Sequence, residues 1–523
     1  MVDSINNKLK HLAHSPQILK FNRGIEREAL RVDLNGDLAQ TQHPDFLGSK
    51  LCHPMITTDF SEAQLELITP VSNSIEDSLS TLHRIHRFVY SGLQEELLWS
   101  ASMPCVVPDT DKIPLAEYGS SNLGRLKTTY RNGLGHRYGR VMQTICAIHY
   151  NFSFSNDFWL KLADLENSQV PLKDFKSGRY FDLMRNFRRY SWLLVYLFGA
   201  SPAVCNSFIT GQKHNLQKFD DASAYLPGAT SLRNGNLGYQ STTQSGLLNI
   251  CYNGLDNYVD TLREAICTPH PVYHGFDTEG DTHPQVNGNI LQSEAEFYTT
   301  IRAKRVPPKG ENFLTCLSGQ GVEYLEVRLL DINPYLPLGI DAAEIRFLDT
   351  YLLYCLLKDS PAHDDSMCAA VSENVLKTVH QGRRDGLLLQ DNGKDKSLRQ
   401  WGKEILAGML PIAEILDGAS STRKHSQCLA AQDAKVEDPD TTPSARILGD
   451  MREQAIPFFQ FAMNQAISHR QSFLSEPLNR QEQDEFKTMS EQSVKDQLAI
   501  ENMDTLSFDE YLAELQKEYE QPG

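Results

Sequence analysis

Two hydrophobic rhythms run through the chain, and the shorter one carries the unusual residues. Side chains of an extended segment alternate between faces with a period of two. In Gly24-Ile25-Glu26-Arg27-Glu28-Ala29-Leu30-Arg31-Val32 that period puts Glu26 and Glu28 on one side, and the Asn35-Gly36 pair beyond is a tight-turn signal. Leu65-Glu66-Leu67-Ile68-Thr69 is an apolar run, begun just after Asp59, that a single acid interrupts. His149, Asn151 and Ser153 alternate with Ile148, Tyr150, Phe152 and Phe154; Tyr324, Glu326 and Arg328 alternate with Leu325, Val327 and Leu329. Four strands are expected, each with acids, a histidine or an arginine on one face and largely apolar residues on the other.

The longer rhythm predicts helices. One starts at Ser74, with Asp77 three residues on as a near capping box, and runs through Ile75, Leu79, Leu82, Ile85, Val89, Leu93 and Leu97. Its His83 and His86 read as surface residues. A second, Tyr180 to Phe198, is apolar on most sides and ends at Gly199 with Pro202 beyond, so it should be buried. Others are expected over Asp341 to Lys358, over Ala445 to Ser475 with a kink at Pro457, and near 508–518. Residues 203–300 are rich in Gly, Asn, Ser and Tyr and read as long loops, and Gly418 to Ser444 reads as a linker. Helices and strands do not strictly alternate, which favours an α+β fold.

Composition narrows the picture. The chain has 523 residues, more than one ordinary core needs, and no apolar run long enough to cross a bilayer. The N-terminus lacks an apolar signal core, so a cytoplasmic protein is expected. Of the net charge of −17, residues 476–523 carry −9, which marks an acidic, partly helical tail expected to pack weakly on a catalytic body of residues 1–475. No basic, aromatic-rich stripe indicates nucleic acid. The ten cysteines show no CxxC spacing and read as reduced, mostly buried thiols.

The chemistry follows from the acids. Glu26, Glu28, Asp59, Glu66 and Glu326, gathered with His149 on one surface, would repel one another strongly without cations, and hard oxygen ligands select Mg2+ or Mn2+. Phosphate loops, dinucleotide fingerprints, HExxH and GxSxG are all missing, so a nucleotide would be held by metals and arginines on the sheet.

Arg23-Gly24-Ile25-Glu26-Arg27-Glu28, Thr57-Thr58-Asp59-Phe60, Glu66-Leu67-Ile68-Thr69-Pro70, Ser102-Met103-Pro104-Cys105, Met142-Gln143-Thr144-Ile145, His149-Tyr150-Asn151-Phe152-Ser153 and Glu323-Tyr324-Leu325-Glu326-Val327-Arg328, in that order, resemble the proteobacterial type of glutamate-cysteine ligase. The resemblance runs from about residue 15 to about residue 475 and weakens from Gly418 to Asp438 and in the tail. It implies a curved, largely antiparallel sheet similar to that of glutamine synthetase, with substrates on the concave face. It further implies an ATP- and Mg2+-dependent ligation of the γ-carboxylate of glutamate to the amine of cysteine, opening glutathione synthesis, in a monomer open to feedback by glutathione. By the same resemblance Glu26, Glu28, Asp59, Glu66, His149 and Glu326 form the metal shell, and Arg233 takes the α-carboxylate of glutamate. Phe60, Tyr130, Leu134, Gln143, Tyr239 and Tyr298 line the cysteine pocket, while Arg131 and Arg328 contact the phosphoryl group. A ligase with another amine acceptor, a two-metal hydrolase and a non-catalytic metal module remain the alternatives.

Overall fold

The structure is a computed structural model that describes residues 8–520 except 9, 10, 13, 15–17, 239–247, 249, 251, 276–282 and 309. Its centre is a sheet of β1 (Phe21–Asp33), β2 (Ile56–Thr58), β3 (Gln64–Ile68), β4 (Glu96–Leu98), β5 (Ile148–Phe154), β6 (Ile301–Lys304) and β7 (Tyr324–Leu330). The order is β2-β3-β1-β5-β7-β6, every pairing is antiparallel, and β4 pairs with the far end of β1. All four expected strands therefore lie in one sheet. The Asn35-Gly36 turn forms, with Gly36 at φ 90°, but the strand returning from it is reduced to one bridge between Val32 and Leu38.

Among the longer helices around this sheet are α1 (Ile75–Gly92), α2 (Asn122–Tyr138), α3 (Leu172–Phe198), α4 (Leu255–Cys267), α5 (Ala342–Leu357), α6 (Leu398–Ser420), α7 (Lys424–Glu437), α8 (Pro443–Glu453), α9 (Phe458–Ser475), α10 (Arg480–Met503) and α11 (Phe508–Glu520). The Ser74 hydroxyl accepts from the Asp77 amide at 3.0 Å and starts α1 as expected, but the helix stops at Gly92 and Leu97 belongs to β4. His86 is buried, its ring stacked on Phe473, which corrects its assignment to the surface. Helix α3 begins eight residues before its expected start and α5 matches its expected span closely. Pro457 caps α9 rather than kinking one long helix.

Behind the sheet the face is not purely apolar. Ile25 and Ala29 alternate on β1 with Arg23, Arg27 and Arg31, all three buried. Arg23 forms a two-pronged ion pair with Asp349 of α5, with Nη2 at 2.6 Å, and the Tyr150 hydroxyl donates to the same carboxylate at 2.8 Å. Arg31 donates to Glu96 at 2.7 Å and to the carbonyls of Thr41 and Glu62. Phe21, Phe152, Phe154, Phe158, Trp159 and Tyr180 form the aromatic core between β1, β5 and α3.

Three expectations fail. The segment 418–444 is no linker: only three residues separate α6 from α7, where Cys428, Leu429, Gln432 and Val436 are buried at helical spacing. The Asp417 carboxylate accepts from the amides of His425 and Ser426 at 2.8 and 2.9 Å and holds α7's first turn. The acidic tail packs firmly, since α10 buries Phe486, Ser490 and Ser493 and α11 buries Phe508 and Tyr519. Cys105 and Cys205 form a disulfide, so not every cysteine is a free thiol. Among the described residues no helix is long and apolar enough to cross a membrane.

Asp349→Ala strands the Arg23 guanidinium in the core. It should lower stability by about 3–5 kcal/mol, the usual cost of breaking a buried pair, read as an earlier first transition in urea or thermal unfolding. An unchanged transition would show that the pair contributes nothing.

Candidate active site

Strand register assembles the acids. Glu28 sits opposite Glu66 across the β1–β3 ladder, Glu26 opposite His149 across β1–β5, and Glu326 opposite Asn151 across β5–β7. Residues directly opposite share a face, so one row crosses four strands. Ligand atoms of Glu26, Glu66 and His149 all lie within 4.8 Å of one another. His149 Nδ1 is 3.1 Å from Glu26 and 4.0 Å from Glu326, and its Nε2 is 3.5 Å from Glu28. Asp59, just past β2, adds its charge to the repulsion that Glu28 and Glu66 feel. Five of the six residues expected in a metal shell therefore meet along the row, and Asp59 acts on two of them by its charge.

The electrostatics divide this row in two. Burial drives the Glu28 and Glu66 carboxyls well above the usual range; Asp59 adds to it for Glu28, and Glu26, Asp59 and Glu28 add to it for Glu66. Burial also opposes the charges on Glu26 and Glu326, but there it is outweighed. The hydrogen bond from His149 holds Glu26 below its ordinary value, and Lys304, Arg328 and Arg302 hold Glu326 well below its own. Burial, with Arg328, keeps the His149 ring neutral. A neutral ring that donates Nδ1–H to Glu26 aims its Nε2 lone pair at Glu28, whose other oxygen already accepts from the Ala147 amide at 2.7 Å. Lone pair and carboxylate tolerate that approach only with a proton or a cation between them. The donor set, carboxylate oxygens with one imidazole, fits a hard divalent cation.

Cations ring the acids. Arg328 Nη1 is 3.0 Å from Glu326, with Lys304 Nζ at 3.8 Å and Arg302 Nη1 at 3.9 Å. Arg131 of α2 stacks on the Tyr118 ring at 4.6 Å and donates to the carbonyls of Asp59, Lys127 and Thr58. Lys127, one turn earlier, shares that ring; burial and Arg131 push it down to about 8. Arg233 is buried, its Nε 3.1 Å from Asp331 and its Nη2 donating to the carbonyls of Arg328 and Leu330.

On the α2 side lies a small, mainly apolar wall. Phe60 and Leu134 are buried and Tyr130 partly so, a Cβ on Gly135 of α2 would meet the Phe60 ring at 3.4 Å, and the Gln143 amide donates to the Tyr298 hydroxyl at 2.9 Å. Tyr298 meets Tyr138 edge to face at 5.2 Å. Tyr239 lies outside the described residues. Cys146, next to this wall, is a neutral thiol because burial and Glu28 push it up, so it offers no nucleophile.

Several participants escaped the sequence reading. Arg302 and Lys304 share the two-residue period of Ile301-Arg302-Ala303-Lys304, the same signal that marked the other strands, but the run of four is short. The Asn151 amide donates to Glu26 at 2.8 Å and was visible only as an alternating polar residue. Lys127 and Asp331 had no local signal.

The family model for glutamate-cysteine ligase matches residues 7–378. A glutamate–cysteine ligase of Alcanivorax borkumensis is 50% identical over 500 residues, covering 94% of this chain and 95% of the relative. One from Pseudomonas paraeruginosa is 47% identical over 520 residues, covering 99% and 98%, so the similarity takes in the C-terminal helices. Among solved structures, a glutamate–cysteine ligase of Francisella tularensis in complex with AMP superposes with a TM-score of 0.90 at 34% identity, covering 96% of this chain and 98% of that one. With an antiparallel sheet that carries a charged row, and with relatives this similar along almost the full length, the chain belongs to the glutamate-cysteine ligase family.

Proposed function

We propose that the protein joins the γ-carboxylate of L-glutamate to the amine of L-cysteine, with ATP as co-substrate and Mg2+ (Mn2+ as substitute) in the acid row. A γ-glutamyl phosphate forms and γ-glutamylcysteine, ADP and phosphate leave, the first step of glutathione synthesis. The observation that carries this reading is the single row Glu66–Glu28–Glu26–His149–Glu326, flanked by Arg328, Lys304 and Arg302. Glu26, Glu28, Asp59, Glu66, His149 and Glu326 would hold the metal, which when bound supplies neutralisation of the phosphate charge.

The chain's own groups do the rest. A carboxylate is a poor acyl donor, so the first need is to place it in line with the terminal phosphoryl group and neutralise the charge that moves. Arg328, Arg131 and Lys304 supply positive charge there, joined by Lys127 below about pH 8. Arg233, braced by Asp331 and two carbonyls, presents its remaining edge to the α-carboxylate of glutamate. The wall of Phe60, Tyr130, Leu134, Gln143 and Tyr298 receives cysteine, with Tyr239 as a further member, and aims its amine at the acyl phosphate. No protein nucleophile is required. Glutathione, which contains both γ-glutamyl and cysteinyl parts, would compete for both pockets. With this reading goes an enzyme that works as a monomer in the cytoplasm.

ADP release by the purified protein should need glutamate and Mg2+ together and rise strongly with cysteine; ATP turnover indifferent to both amino acids would refute the assignment. Glu326→Ala should cut turnover by about 10²–10³-fold or more, the scale for removing one preorganised charge, and full activity would take Glu326 out of the metal shell. A panel of amino acids separates this reading from a ligase with another acceptor. Against 2-aminobutyrate the preference for cysteine should be slight, because one group in an apolar pocket is worth about 1–3 kcal/mol.

Metal and protons compete for Glu28 and Glu66. Their raised folded-state values mean that the metal-free chain holds protons that the unfolded chain releases above its ordinary value of 4.5. Stability must then fall as pH rises. The stability of EDTA-treated protein relative to protein in millimolar Mg2+ should therefore fall as pH rises above 4.5, since bound metal displaces those protons and most other titrating groups cancel in the difference. Equal slopes with and without metal would count against the shell.

A further inference from the structure

The C-terminal segment ends against the acceptor side of the site. Helix α2 carries Lys127, Tyr130, Arg131 and Leu134, and its first turn is held from outside by residues nearly 400 positions later. The Asp504 carboxylate accepts from the Asn122 amide, the Leu506 carbonyl accepts from the Asn122 side chain at 2.9 Å, and the Glu501 carboxylate accepts from the Ser120 amide at 3.0 Å. Two carboxylates at a helix N-terminus satisfy amides with no intrahelical partner and complement the helix dipole. The contact is close: a Cβ on Gly119, at φ 91°, would meet Gln497 and Glu501 at 2.2 and 2.4 Å. Beyond it, Arg125 of α2 lies over the Phe508 ring at 4.2 Å.

The same segment then reaches the opposite wall. His283 donates to Asp509 at 2.7 Å and meets the Phe508 ring at 4.9 Å; the buried Tyr519 donates its hydroxyl to Glu294 at 2.8 Å. Glu294 opens the turn that contains Glu296, which accepts from Arg137 and Tyr138 at the end of α2 at 2.9 and 2.6 Å and directly precedes Phe297 and Tyr298. Helix α11 thus spans from the start of α2 to the loop bearing Tyr298.

We propose that Asp504 and Tyr519 are positioning residues for the amine acceptor: the C-terminal helices fasten both walls of the cysteine pocket from outside without touching substrate. The proposal rests on the ligase reading for the identity of the acceptor, but its mechanical part stands without it. Loosening the strap leaves the acid row with Arg328, Lys304 and Arg302 in place, since the strands of the sheet hold those; Arg233 keeps its contacts to Asp331 and two carbonyls, and Arg131, beyond the first turn of α2, keeps its bonds to the carbonyls of Asp59 and Thr58.

The test uses full-length Asp504→Ala and Tyr519→Phe, with Asp504→Asn as the variant that keeps an acceptor oxygen. Hydrogen exchange without substrates should quicken several-fold at 120–125 in Asp504→Ala and at 292–298 in Tyr519→Phe, with β1 and β5 unchanged. Steady-state assays should show a rise of threefold or more in KM for cysteine, with KM for glutamate and ATP within twofold and kcat largely kept, and Asp504→Asn close to the parent. Unchanged exchange at both segments would overturn the strap. Faster exchange with KM for cysteine unmoved, or all three KM values rising together, would overturn the acceptor-side role while leaving the ligase reading intact. Parent protein whose ADP release ignores cysteine would instead overturn the ligase reading and the acceptor role with it, while the exchange data still judge the strap.

Discussion

Mutual repulsion of carboxylates held out of water is the constraint around which this molecule is organised. Glu28 and Glu66 face each other across a ladder with Glu26 and Asp59 beside them, and burial denies them the solvent that would screen them. A fold built for stability alone would not place them so. The surroundings compensate unevenly: three cations fix the charge on Glu326 and a histidine fixes Glu26, whereas Glu28 and Glu66 are left to take up protons. That imbalance, more than the number of acids, is what suits the row to a cation.

Rigidity behind the row keeps it in place. Each strand bearing an acid turns its other face to the helices, and that face is tied by polar contacts as well as packing. Arg23, Tyr150 and Asp349 join β1, β5 and α5 at one buried carboxylate. Side chains that must hold position against mutual repulsion need such support, since small displacements of a reacting group are costly. The wall at α2 is built differently, from a helix and a loop anchored by α10 and α11.

How much of this could be read from the sequence depends on distance along the chain. The alternation in 24–32, 148–154 and 324–330 is local, so the strands and the faces of Glu26, Glu28, His149 and Glu326 were legible. Register was not, because nothing local says that Glu28 meets Glu66 while Glu26 meets His149. Burial of Arg23 was equally hidden, since its partner lies 326 residues away. The stretch 418–444 was misread because its polar, small residues mask a short apolar stripe at Cys428, Leu429 and Val436 that only packing reveals. In the tail, the density of charge outweighed a few well-spaced aromatic residues, Phe486, Phe508 and Tyr519, which anchor it.

The position of β1 in the sheet bears on how the chain reaches this state. Strand β1 is central, yet its neighbour β5 begins at residue 148, and β5's other neighbour ends at residue 330. A nascent chain therefore emerges with its most charged strand first and waits through some three hundred residues of synthesis for the sheet to close. Pairings this remote make folding slow and leave strand edges open to wrong partners in the interval. The arginines and glutamates that alternate along β1 also serve there as gatekeepers, keeping an unpaired edge hydrated and discouraging contact between incomplete chains.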